Sequence, residues 1–594
     1  MKCFLCERRC SVSEGALGAC GNYRNRGGVM EECFPGIYLV VTPVSIETVP
    51  LLHFFPGGKF LQITTRGCNF HCKGCISNAL VSGFSSESSA LKRLAPEEVV
   101  DQAVAEGCLG VVFMMNDPLA SYHTFLAVAR EAKTRGLLAG CSTNGYFTPE
   151  SLEPFLFLLD FVNLGIKGLS SDIYRECGGF SVEPVLRNLK LLFHEGIHVE
   201  VSCMFRRGDE EELRRLGELM REISPSMPLQ VMRYLPLGDA DPLLEPTQRQ
   251  AENLCKELTE SLEYIYLFNS PGTSWLHTRC PGCGVPVMER DFYGPMGARL
   301  RRDTLKNREL SSCLSCGNSL VFRGTPGEDS DFRERDFQGG YPFTRALEMI
   351  EAILISCGAS SREEILPVWE RMLENQNMTM LHEFLQEPER YLYLIDFLGG
   401  LGGLESGARE LRAFLETKLW EVDSCLEKVV IRPRVYYVMG NPLFHIKGGR
   451  LENNLVIRGG GESLNKRIAA KGRPGTTLPP EKINALNPDH IFISGFLSSP
   501  EEDVLEECRL KGIDVTATRK KQIHRYPAPG WDFGSPRWIL GLLFIAQTLH
   551  PQRCSWNMEE EAGDFYRRFY NSPWEPQKIN RSFAWPHGEW HWRN

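Results

Sequence analysis

The chain has 594 residues, of which 42% are hydrophobic and 24% are charged, and its formal net charge is −9 at pH 7. This length predicts two to four domains, because a single hydrophobic core rarely grows beyond roughly 300 residues. The negative charge gives no support for a general electrostatic attraction to nucleic acid or anionic membranes, so we expect neither as a partner, although a local basic surface is still compatible with this charge.

The N-terminal sequence predicts a cytoplasmic protein. It reads MKCFLCERRC and lacks the continuous apolar segment of a signal peptide. The apolar run WILGLLFIA at 538–546 is shorter than the roughly 20 residues that a membrane-spanning helix needs. In the cytoplasm disulfides are rare, and clustered cysteines more often bind metal.

The first 58 residues form a cysteine-rich leader that predicts a metal site. Four of the chain's 21 cysteines follow the pattern C-x2-C-x3-C-x9-C here, namely Cys3, Cys6, Cys10 and Cys20. Zinc and an iron-sulfur cluster both suit four thiolates, and the spacing does not choose between them. Cysteines outside such groups are expected to be buried fillers, for example Cys108, Cys141, Cys203 and Cys425.

Residues 59–270 alternate strand-like and helical segments. The strand-like segments are 59–67, 110–116, 136–143, 160–168, 197–205 and 229–235. Amphipathic patterns such as APEEVVDQAVAEG separate most of them. This alternation predicts parallel βα units, an α/β fold in which about six units make an open barrel or a doubly wound sheet. Functional groups are expected where the strands end.

The stretch RGCNFHCKGC directly follows the first of these strands. It places Cys68, Cys72 and Cys75 in the pattern C-x3-C-x2-C. Three thiolates can hold three corners of a [4Fe-4S] cluster and leave the fourth iron open. A structural zinc site needs four closed ligands, and no fourth ligand lies at a suitable spacing.

This loop resembles the signature of the radical S-adenosylmethionine superfamily. The resemblance implies a partial barrel, a [4Fe-4S] cluster and S-adenosylmethionine as cofactors, and an enzyme that produces a 5′-deoxyadenosyl radical. The segments TVPLLHFFPGGKFLQITTRGCNFHCKGC, FMMNDPLASY and CSTNGYFTPESLEPFL further resemble the subgroup related to pyruvate formate-lyase activating enzymes, often catalogued as AmmeMemoRadiSam. The match covers residues 1 to about 325.

The resemblance assigns roles to five more residues. Asn116 and Asp117 would form the turn that meets the methionyl amino group, although the family usually has glutamate in place of Asp117. Thr143 and Asn144 would end the third strand beside the cofactor. Lys167 would face the site as a catalytic group. The sequence GIK replaces the common DLK and removes a carboxylate at Gly165.

Residues 271–325 predict a four-cysteine ribbon. Two pairs, CPGC and CLSC, are each followed by glycine, and their cysteines are Cys280, Cys283, Cys313 and Cys316. Such knuckles are typical of a zinc ribbon or a rubredoxin-like site. We expect a structural metal there, either zinc or a form of iron-sulfur site, with electron relay as the alternative role.

Residues 326–428 predict a polar linker and a helical region, and residues 429–594 a second α/β domain. In the second domain RVYYVMG and DHIFISGF are expected as strands, SSPEEDVLEECRLKG as a helix, and GIDVTAT as the continuation of the alternation. These segments resemble the C-terminal lobe of class III periplasmic binding proteins. That resemblance implies a site for a metal chelate or tetrapyrrole.

Several loop residues of the C-terminal half are candidates for lining such a site. They are His445, Lys447, Arg458, Arg525, Tyr526, Trp531 and Arg537. For each residue alone, a solvated or packing role is the simpler interpretation. The tail FAWPHGEWHWRN is expected to pack against a neighbouring domain through its aromatic side chains, although its histidines could bind metal.

Three functions follow from these features. The first is a radical enzyme that modifies a small molecule or metallocofactor presented by the C-terminal domain. The second is an activase that generates a glycyl radical on a partner enzyme. The third is a non-catalytic sensor or chaperone for a metal complex. The family resemblance implies a flavodoxin or ferredoxin as electron donor.

Overall fold

The computed structural model describes residues 1–82, 84–85, 87–307, 312–327, 340–373, 377–469, 474–579 and 581. The aromatic tail and most of the predicted polar linker lie outside these residues. The chain forms two compact units. Unit 1 comprises Met1–Tyr234, Gln250–Asn269 and Thr273–Thr344, and unit 2 comprises Leu235–Arg249, Ser270–Gly272 and Arg345–Asn594. The five-part division made from the sequence stays a prediction.

Unit 1 contains seventeen of the described strands. They are β1 Tyr23–Arg26, β2 Val29–Glu32, β3 Ile37–Tyr38, β4 Val40–Ser45, β5 Lys59–Thr64, β6 Lys92–Arg93, β7 Gly110–Phe113, β8 Leu138–Thr143, β9 Phe161–Ile166, β10 His198–Phe205, β11 Leu229–Arg233, β12 Ile265–Phe268, β13 Thr278–Arg279, β14 Pro286–Phe292, β15 Ala298–Asp303, β16 Leu305–Asn307 and β17 Ser312–Cys313.

Eight helices occur up to residue 258. They are α1 Asn78–Ser82, α2 Pro96–Ala105, α3 Tyr122–Thr134, α4 Pro149–Leu152, α5 Ser171–Glu176, α6 Glu183–His194, α7 Glu210–Ile223 and α8 Gln248–Leu258. Helices α2, α3 and α7 coincide with the amphipathic patterns of the sequence. Each buries an apolar stripe such as Val99, Val100 and Ala103 of α2.

The main sheet of unit 1 has the strand order β12-β11-β10-β9-β8-β7-β5-β4. All neighbours pair in parallel except β4, which runs antiparallel to β5. The predicted α/β fold is therefore confirmed, and the six predicted strands are β5 and β7 to β11. The sequence analysis missed the two edge strands, β4 and β12. Strands β7, β11 and β12 are buried throughout, as expected for a parallel sheet covered on both faces.

The register of the sheet brings four strand ends to one edge. Ile63 of β5 pairs with Phe113 of β7, which in turn pairs with Cys141 of β8. Thr143 of β8 pairs with Leu164 of β9. The residues that follow β5, β7, β8 and β9 therefore emerge side by side at the carboxyl edge, where parallel sheets place their functional groups.

The PLLHFF element before β5 is fixed by a buried carboxylate. Glu200 of β10 accepts hydrogen bonds from the backbone N–H groups of Leu52 and His53, at 2.9 and 2.7 Å. Burial alone raises the pKa of Glu200, but its contact with His198 and these backbone donors lower it overall. The imidazole of His53 contacts Tyr266 of β12 and the carbonyl of Val321. This element therefore joins the main sheet to the predicted four-cysteine ribbon, residues 271–325, called the ribbon segment below.

A buried ion pair also connects the ribbon segment to the sheet. Arg290 of β14 donates through Nε to Glu47 Oε1 at 2.8 Å, and both side chains are fully buried. Arg290 also donates to Thr278 Oγ1 at 2.7 Å and to the carbonyl of Leu52 at 3.0 Å. These hydrogen bonds offset part of the desolvation cost of the two buried charges, and Glu47 Oε2 is left without a hydrogen-bond partner among the described residues.

Unit 2 combines a helical layer with a small sheet. The remaining helices are α9 Gly340–Ser356, α10 Arg362–Leu373, α11 Asn377–Phe384, α12 Pro388–Leu401, α13 Glu405–Leu426, α14 Leu451–Arg458, α15 Pro480–Leu486, α16 Glu501–Leu510, α17 Thr516–Arg519, α18 Trp538–Leu549 and α19 Met558–Tyr570. The remaining strands are β18 Arg434–Met439, β19 Asn441–Ile446, β20 Glu462–Ser463, β21 Gly475–Thr477, β22 His490–Ile493 and β23 Ile523–Arg525.

The sheet of unit 2 has the order β21-β19-β18-β22-β23, with β20 beside β18. The two predicted strands are β18 and β22, and the predicted helix is α16. The segment GIDVTAT does not continue the alternation as a strand, because its last residues begin α17 and the next strand is β23. Helix α18 contains the apolar run WILGLLFIA and is a core helix. In the described part of the chain, every helix is too short or too polar to cross a lipid bilayer.

One expectation about the scattered cysteines was wrong. Cys108, Cys141 and Cys203 are buried as expected. Cys425 near the end of α13 instead forms a disulfide with Cys554, 129 positions later in the sequence. The partners come from different elements, so no local pattern could indicate the pairing.

We expect Arg290→Met to destabilise the contact between ribbon segment and sheet by about 3–5 kcal/mol, because Glu47 would remain as an uncompensated buried charge. Native-state hydrogen exchange of peptides covering Pro286–Phe292 and Ile46–Thr48 measures this effect. Arg301→Met is the matched control, since Arg301 pairs with Glu289 and is 41% exposed. Equal exchange in the two variants would contradict the assignment.

Candidate functional site

Residues 65–77, which carry Cys68, Cys72 and Cys75, are called the cluster loop. This loop leaves the carboxyl edge of the sheet directly after β5 and ends before α1. Cys68 and Cys72 are half-buried and Cys75 is exposed. Gly67 opens the loop with φ of +80°, and a Cβ at this position would lie 2.5 Å from the carbonyl oxygen of Cys20. Only glycine fits, because other residues are strained at this φ and would also clash. The loop is therefore packed closely against the leader.

Asn116 fixes the start of the loop. Its side-chain nitrogen donates to Thr65 Oγ1 at 2.8 Å and to the carbonyl of Gly67 at 3.1 Å. Its side-chain oxygen accepts from the backbone N–H of Thr65 at 3.2 Å. The buried amide thus bridges the end of β7 and the loop that carries the three thiols.

Asp117 joins the ends of β7 and β8. One carboxylate oxygen accepts from Thr143 Oγ1 at 2.9 Å and from the backbone N–H of Asn144 at 2.7 Å. The other accepts from the backbone N–H of Leu119 at 3.0 Å. Burial raises the pKa of Asp117, although these donors oppose the shift. The shorter acid found here therefore holds the scaffold together at the predicted cofactor edge.

Asn144 holds the middle of the loop through Asn69, a residue that the sequence analysis did not select. The two side chains form a reciprocal pair in which Asn144 donates to Asn69 at 2.7 Å and Asn69 donates back at 3.3 Å. Both side chains are buried. A side-chain pair between residues so far apart in the chain has no local sequence signal.

Lys167 lies beside the thiols of the loop. Its ammonium nitrogen would be 3.5 Å from a Cβ placed on Gly165, so it lies next to the position where the common DLK sequence has a carboxylate-bearing residue. Burial opposes the charge, but the neighbouring sulfur atoms, Cys72 first, raise the pKa of Lys167 overall. The lysine therefore supplies positive charge to a site that gathers thiolates.

Cys177, at the end of α5, is a second site residue that the sequence analysis missed. Its thiol hydrogen-bonds to Cys72, and this contact, together with the charge of Lys167, lowers the pKa of Cys72. The carbonyl of Cys177 accepts from the backbone N–H of His71 at 3.0 Å. The cluster loop is thus also held from the side of β9.

The three loop thiols suit a multi-iron cluster better than a single metal ion. Four thiolates around one zinc ion lie about 3.8 Å apart, since each is about 2.3 Å from the metal at a tetrahedral angle. Among the described residues, the ribbon cysteines form a group whose ligand atoms all lie within 4.8 Å of one another, and the loop cysteines do not form such a group. A cluster in which each thiolate binds its own iron holds its ligands farther apart.

The ribbon cysteines have the geometry of a mononuclear metal site. Their four sulfur atoms all lie within 4.8 Å of one another. Cys280 and Cys316 are 3.6 Å apart, and Cys283 and Cys313 are 3.7 Å apart. Both distances match the edge of a tetrahedron around one zinc ion, about 3.8 Å. This spacing suits a single ion, and the identity of the metal stays a prediction.

The four leader cysteines surround one cavity. Its lining includes Cys3, Cys6, Cys10 and Cys20 together with Tyr23 and Asn69. Burial raises the pKa of Cys6 to about 12, and the nearby thiols add to this shift. The structure therefore brings together all four cysteines that the sequence pattern selected.

In unit 2 the candidate ligand residues make mainly internal contacts. Arg458 forms ion pairs with Glu389 and Asp423. Arg537 is fully buried and donates to Ser535 Oγ at 2.9 Å. His445, Tyr526 and Trp531 are also buried, whereas Lys447 is half-buried and Arg525 is exposed. These contacts give Arg458 and Arg537 structural roles, and ligand binding by the set stays a prediction.

Comparisons with known proteins agree with the geometry of the cluster loop. The family model of the radical SAM superfamily matches residues 63–220. An uncharacterized protein of Methanocaldococcus jannaschii is 30% identical over 327 residues, which are 54% of this chain and 95% of that protein. An isethionate sulfite-lyase activating enzyme of Nitratidesulfovibrio vulgaris is 29% identical over 178 residues, 29% of this chain and 57% of the enzyme.

Solved structures show a likeness to periplasmic binding proteins. The periplasmic solute-binding protein of Veillonella parvula is 20% identical, covers 32% of this chain and 59% of its own length, and gives a TM-score of 0.29. The chain thus spans little more than half the length of the activating enzyme and of this binding protein.

We expect the ribbon to bind about one zinc ion per chain, because its four sulfurs already have tetrahedral spacing. Cys316→Ser should lose this zinc, as measured by elemental analysis of the purified chain. The neighbouring substitution Ser315→Ala removes no sulfur and should keep it. Zinc retention in Cys316→Ser would show that the ion is bound elsewhere.

Asn144→Ala should loosen the cluster loop, since it removes both hydrogen bonds to the buried Asn69 amide. A loss of about 1–3 kcal/mol is typical of a buried polar group left unpaired, so exchange of loop amides should accelerate roughly tenfold or more. Hydrogen-deuterium exchange of a peptide covering residues 66–77 measures the change. Ser142→Ala on the same strand is the control, and equal exchange in both variants would refute this role of Asn144.

Proposed function

The chain belongs to the radical SAM superfamily, and on this premise we propose that it cleaves S-adenosylmethionine reductively at the loop of Cys68, Cys72 and Cys75. The resulting radical abstracts hydrogen from a small molecule or metallocofactor that unit 2 binds. The observation that carries the proposal is the convergence of the three thiols with Asn116, Asp117, Thr143 and Asn144 at one sheet edge.

The residues at this edge fit a [4Fe-4S] cluster and its cofactor. Cys68, Cys72 and Cys75 would bind three irons. When bound, the cluster and S-adenosylmethionine together supply a 5′-deoxyadenosyl radical by one-electron cleavage of a carbon-sulfur bond. The protein supplies position and electrostatics.

The surrounding side chains have separate tasks in this proposal. Asn116 and the Asn69–Asn144 pair keep the thiols in one arrangement, so little reorganisation is needed when the cofactors bind. Asp117 and Thr143 align the strand ends next to the methionyl group of the cofactor. Lys167 offsets negative charge on the thiolates, because its ammonium lies beside Cys72.

The substrate of the first candidate function is a small molecule, metal chelate or tetrapyrrole. It is supported by the second α/β unit, which a minimal radical enzyme does not need. Electrons would come from a protein donor of the flavodoxin or ferredoxin class. The binding-protein likeness of the solved structures is too weak to identify a ligand.

A second candidate is an activase that makes a glycyl radical on a partner enzyme. It is supported by the similarity to the isethionate sulfite-lyase activating enzyme over 178 residues. This candidate uses the same three thiols and the same cofactor. It differs in requiring a protein substrate.

Anaerobic reconstitution with iron and sulfide, followed by S-adenosylmethionine and dithionite, should produce 5′-deoxyadenosine, detected by mass spectrometry. Cys72→Ala should abolish the product, because one iron loses its ligand. Lys73→Ala is the matched control beside it in the loop and should retain activity. No product from a fully loaded wild-type chain would reject the enzyme in favour of a metal-complex sensor or chaperone.

Added substrates separate the two catalytic candidates. The small-molecule enzyme is supported if a metal chelate or tetrapyrrole raises 5′-deoxyadenosine formation and is recovered in a chemically modified form. The activase would replace it if only a glycyl-radical enzyme stimulated 5′-deoxyadenosine formation. That enzyme should then show a glycine radical in its electron paramagnetic resonance spectrum.

A further inference from the structure

The leader folds over the carboxyl edge of the sheet. Cys6 forms a backbone bridge with Phe147, and the backbone N–H of Glu7 donates to the carbonyl of Tyr146 at 2.9 Å. Thr148 Oγ1 donates to the carbonyl of Phe4 at 2.7 Å. These contacts place the first three leader cysteines beside the loop that follows β8, next to Asn144.

The leader also touches the cluster loop directly. Arg8 donates to the carbonyl of Asn69 at 2.8 Å. The carbonyl oxygen of Cys20 packs against Gly67. Asn69 itself lines the cavity that the four leader cysteines surround. Asn69 is the residue after Cys68, so the leader cavity adjoins the loop that carries the second thiol group.

The spacing of the leader sulfurs distinguishes this site from the ribbon. In residues 1–82, which the structure describes, the leader cysteines do not form a group with ligand atoms all within 4.8 Å, although the ribbon cysteines do. All four line one cavity. Four thiolates that share a cavity without the close spacing of a one-ion site suit a cluster in which each thiolate binds its own iron.

We propose that Cys3, Cys6, Cys10 and Cys20 bind a second iron-sulfur cluster of the [4Fe-4S] type, which passes electrons to the site at Cys68, Cys72 and Cys75. The metal assignment is independent of the function proposed above, whereas the relay rests on it. One electron enters from a reduced protein of the flavodoxin or ferredoxin class, which becomes oxidised by one electron. The same electron then leaves for the neighbouring site, and no atom is transferred.

The metal assignment is tested in a chain that lacks the other cluster. The triple variant C68A/C72A/C75A, reconstituted anaerobically, should retain about four irons and four sulfides per chain, with a [4Fe-4S]-type electron paramagnetic resonance signal after reduction. Adding Cys6→Ala should reduce both contents to background. Adding Cys33→Ser should leave them unchanged, because Cys33 belongs to the leader but does not line the cavity.

Other metal and sulfide contents of the purified variants would overturn the assignment of an iron-sulfur cluster to the leader. Two zinc ions per triple-variant chain without sulfide would make the leader a zinc site, since the ribbon accounts for one. Iron that survives Cys6→Ala would place the cluster elsewhere. Circular dichroism and melting of the Cys6→Ala chain control for misfolding, and Cys20→Ser repeats the test at the other end of the leader.

The relay has its own readout. In the reduced wild-type chain the signals of the two clusters should broaden each other through spin coupling, and Cys6→Ala should remove the broadening. Cys6→Ala should also lose at least tenfold in cleavage rate with a flavodoxin-type donor while keeping most of its rate with dithionite. The relay would be rejected if Cys6→Ala lost the same fraction of the wild-type rate with both reductants, or if the two cluster signals of the wild-type chain were uncoupled. Neither result would affect the proposed cleavage reaction.

Discussion

The site depends on the buried carboxylate of Asp117. It joins the end of β7 to the end of β8 through Thr143 and Asn144, and Asn144 in turn holds Asn69 in the cluster loop. A buried carboxylate is stable only when donors surround it, and a buried N–H without an acceptor costs free energy. The same contacts therefore stabilise the sheet edge and set the position of the thiols.

The sequence predicted the central part of this arrangement because its signals are local. Parallel strands buried on both faces read as continuous apolar runs, and β5 and β7 to β11 were found in this way. The edge strand β12 was missed although Ile265–Phe268 is equally apolar and the turn residues NSPG follow it, because a run of four residues is too short to identify a strand by its pattern alone. Cysteine spacings selected the residues of all three thiol groups, and the structure brings the leader and ribbon sets each to one place.

Other parts of the site could not be predicted because they depend on distances between remote residues. Asn144 holds the cluster loop through Asn69, and Cys177 contacts Cys72, but neither pairing has a local signal in the sequence. The Cys425–Cys554 disulfide joins two helical regions in the same manner. Residue spacing along the chain also could not distinguish a one-metal site from a cluster, because it does not fix how far apart the sulfur atoms lie.

The two four-cysteine sites show why that distance matters. In the ribbon, Cys280 lies 3.6 Å from Cys316 and Cys283 lies 3.7 Å from Cys313, a spacing that suits one ion. In the leader, Cys20 packs against Gly67 of the cluster loop and Cys6 bridges to Phe147. The contacts that attach the leader to the cluster loop therefore also set the positions of the leader thiols.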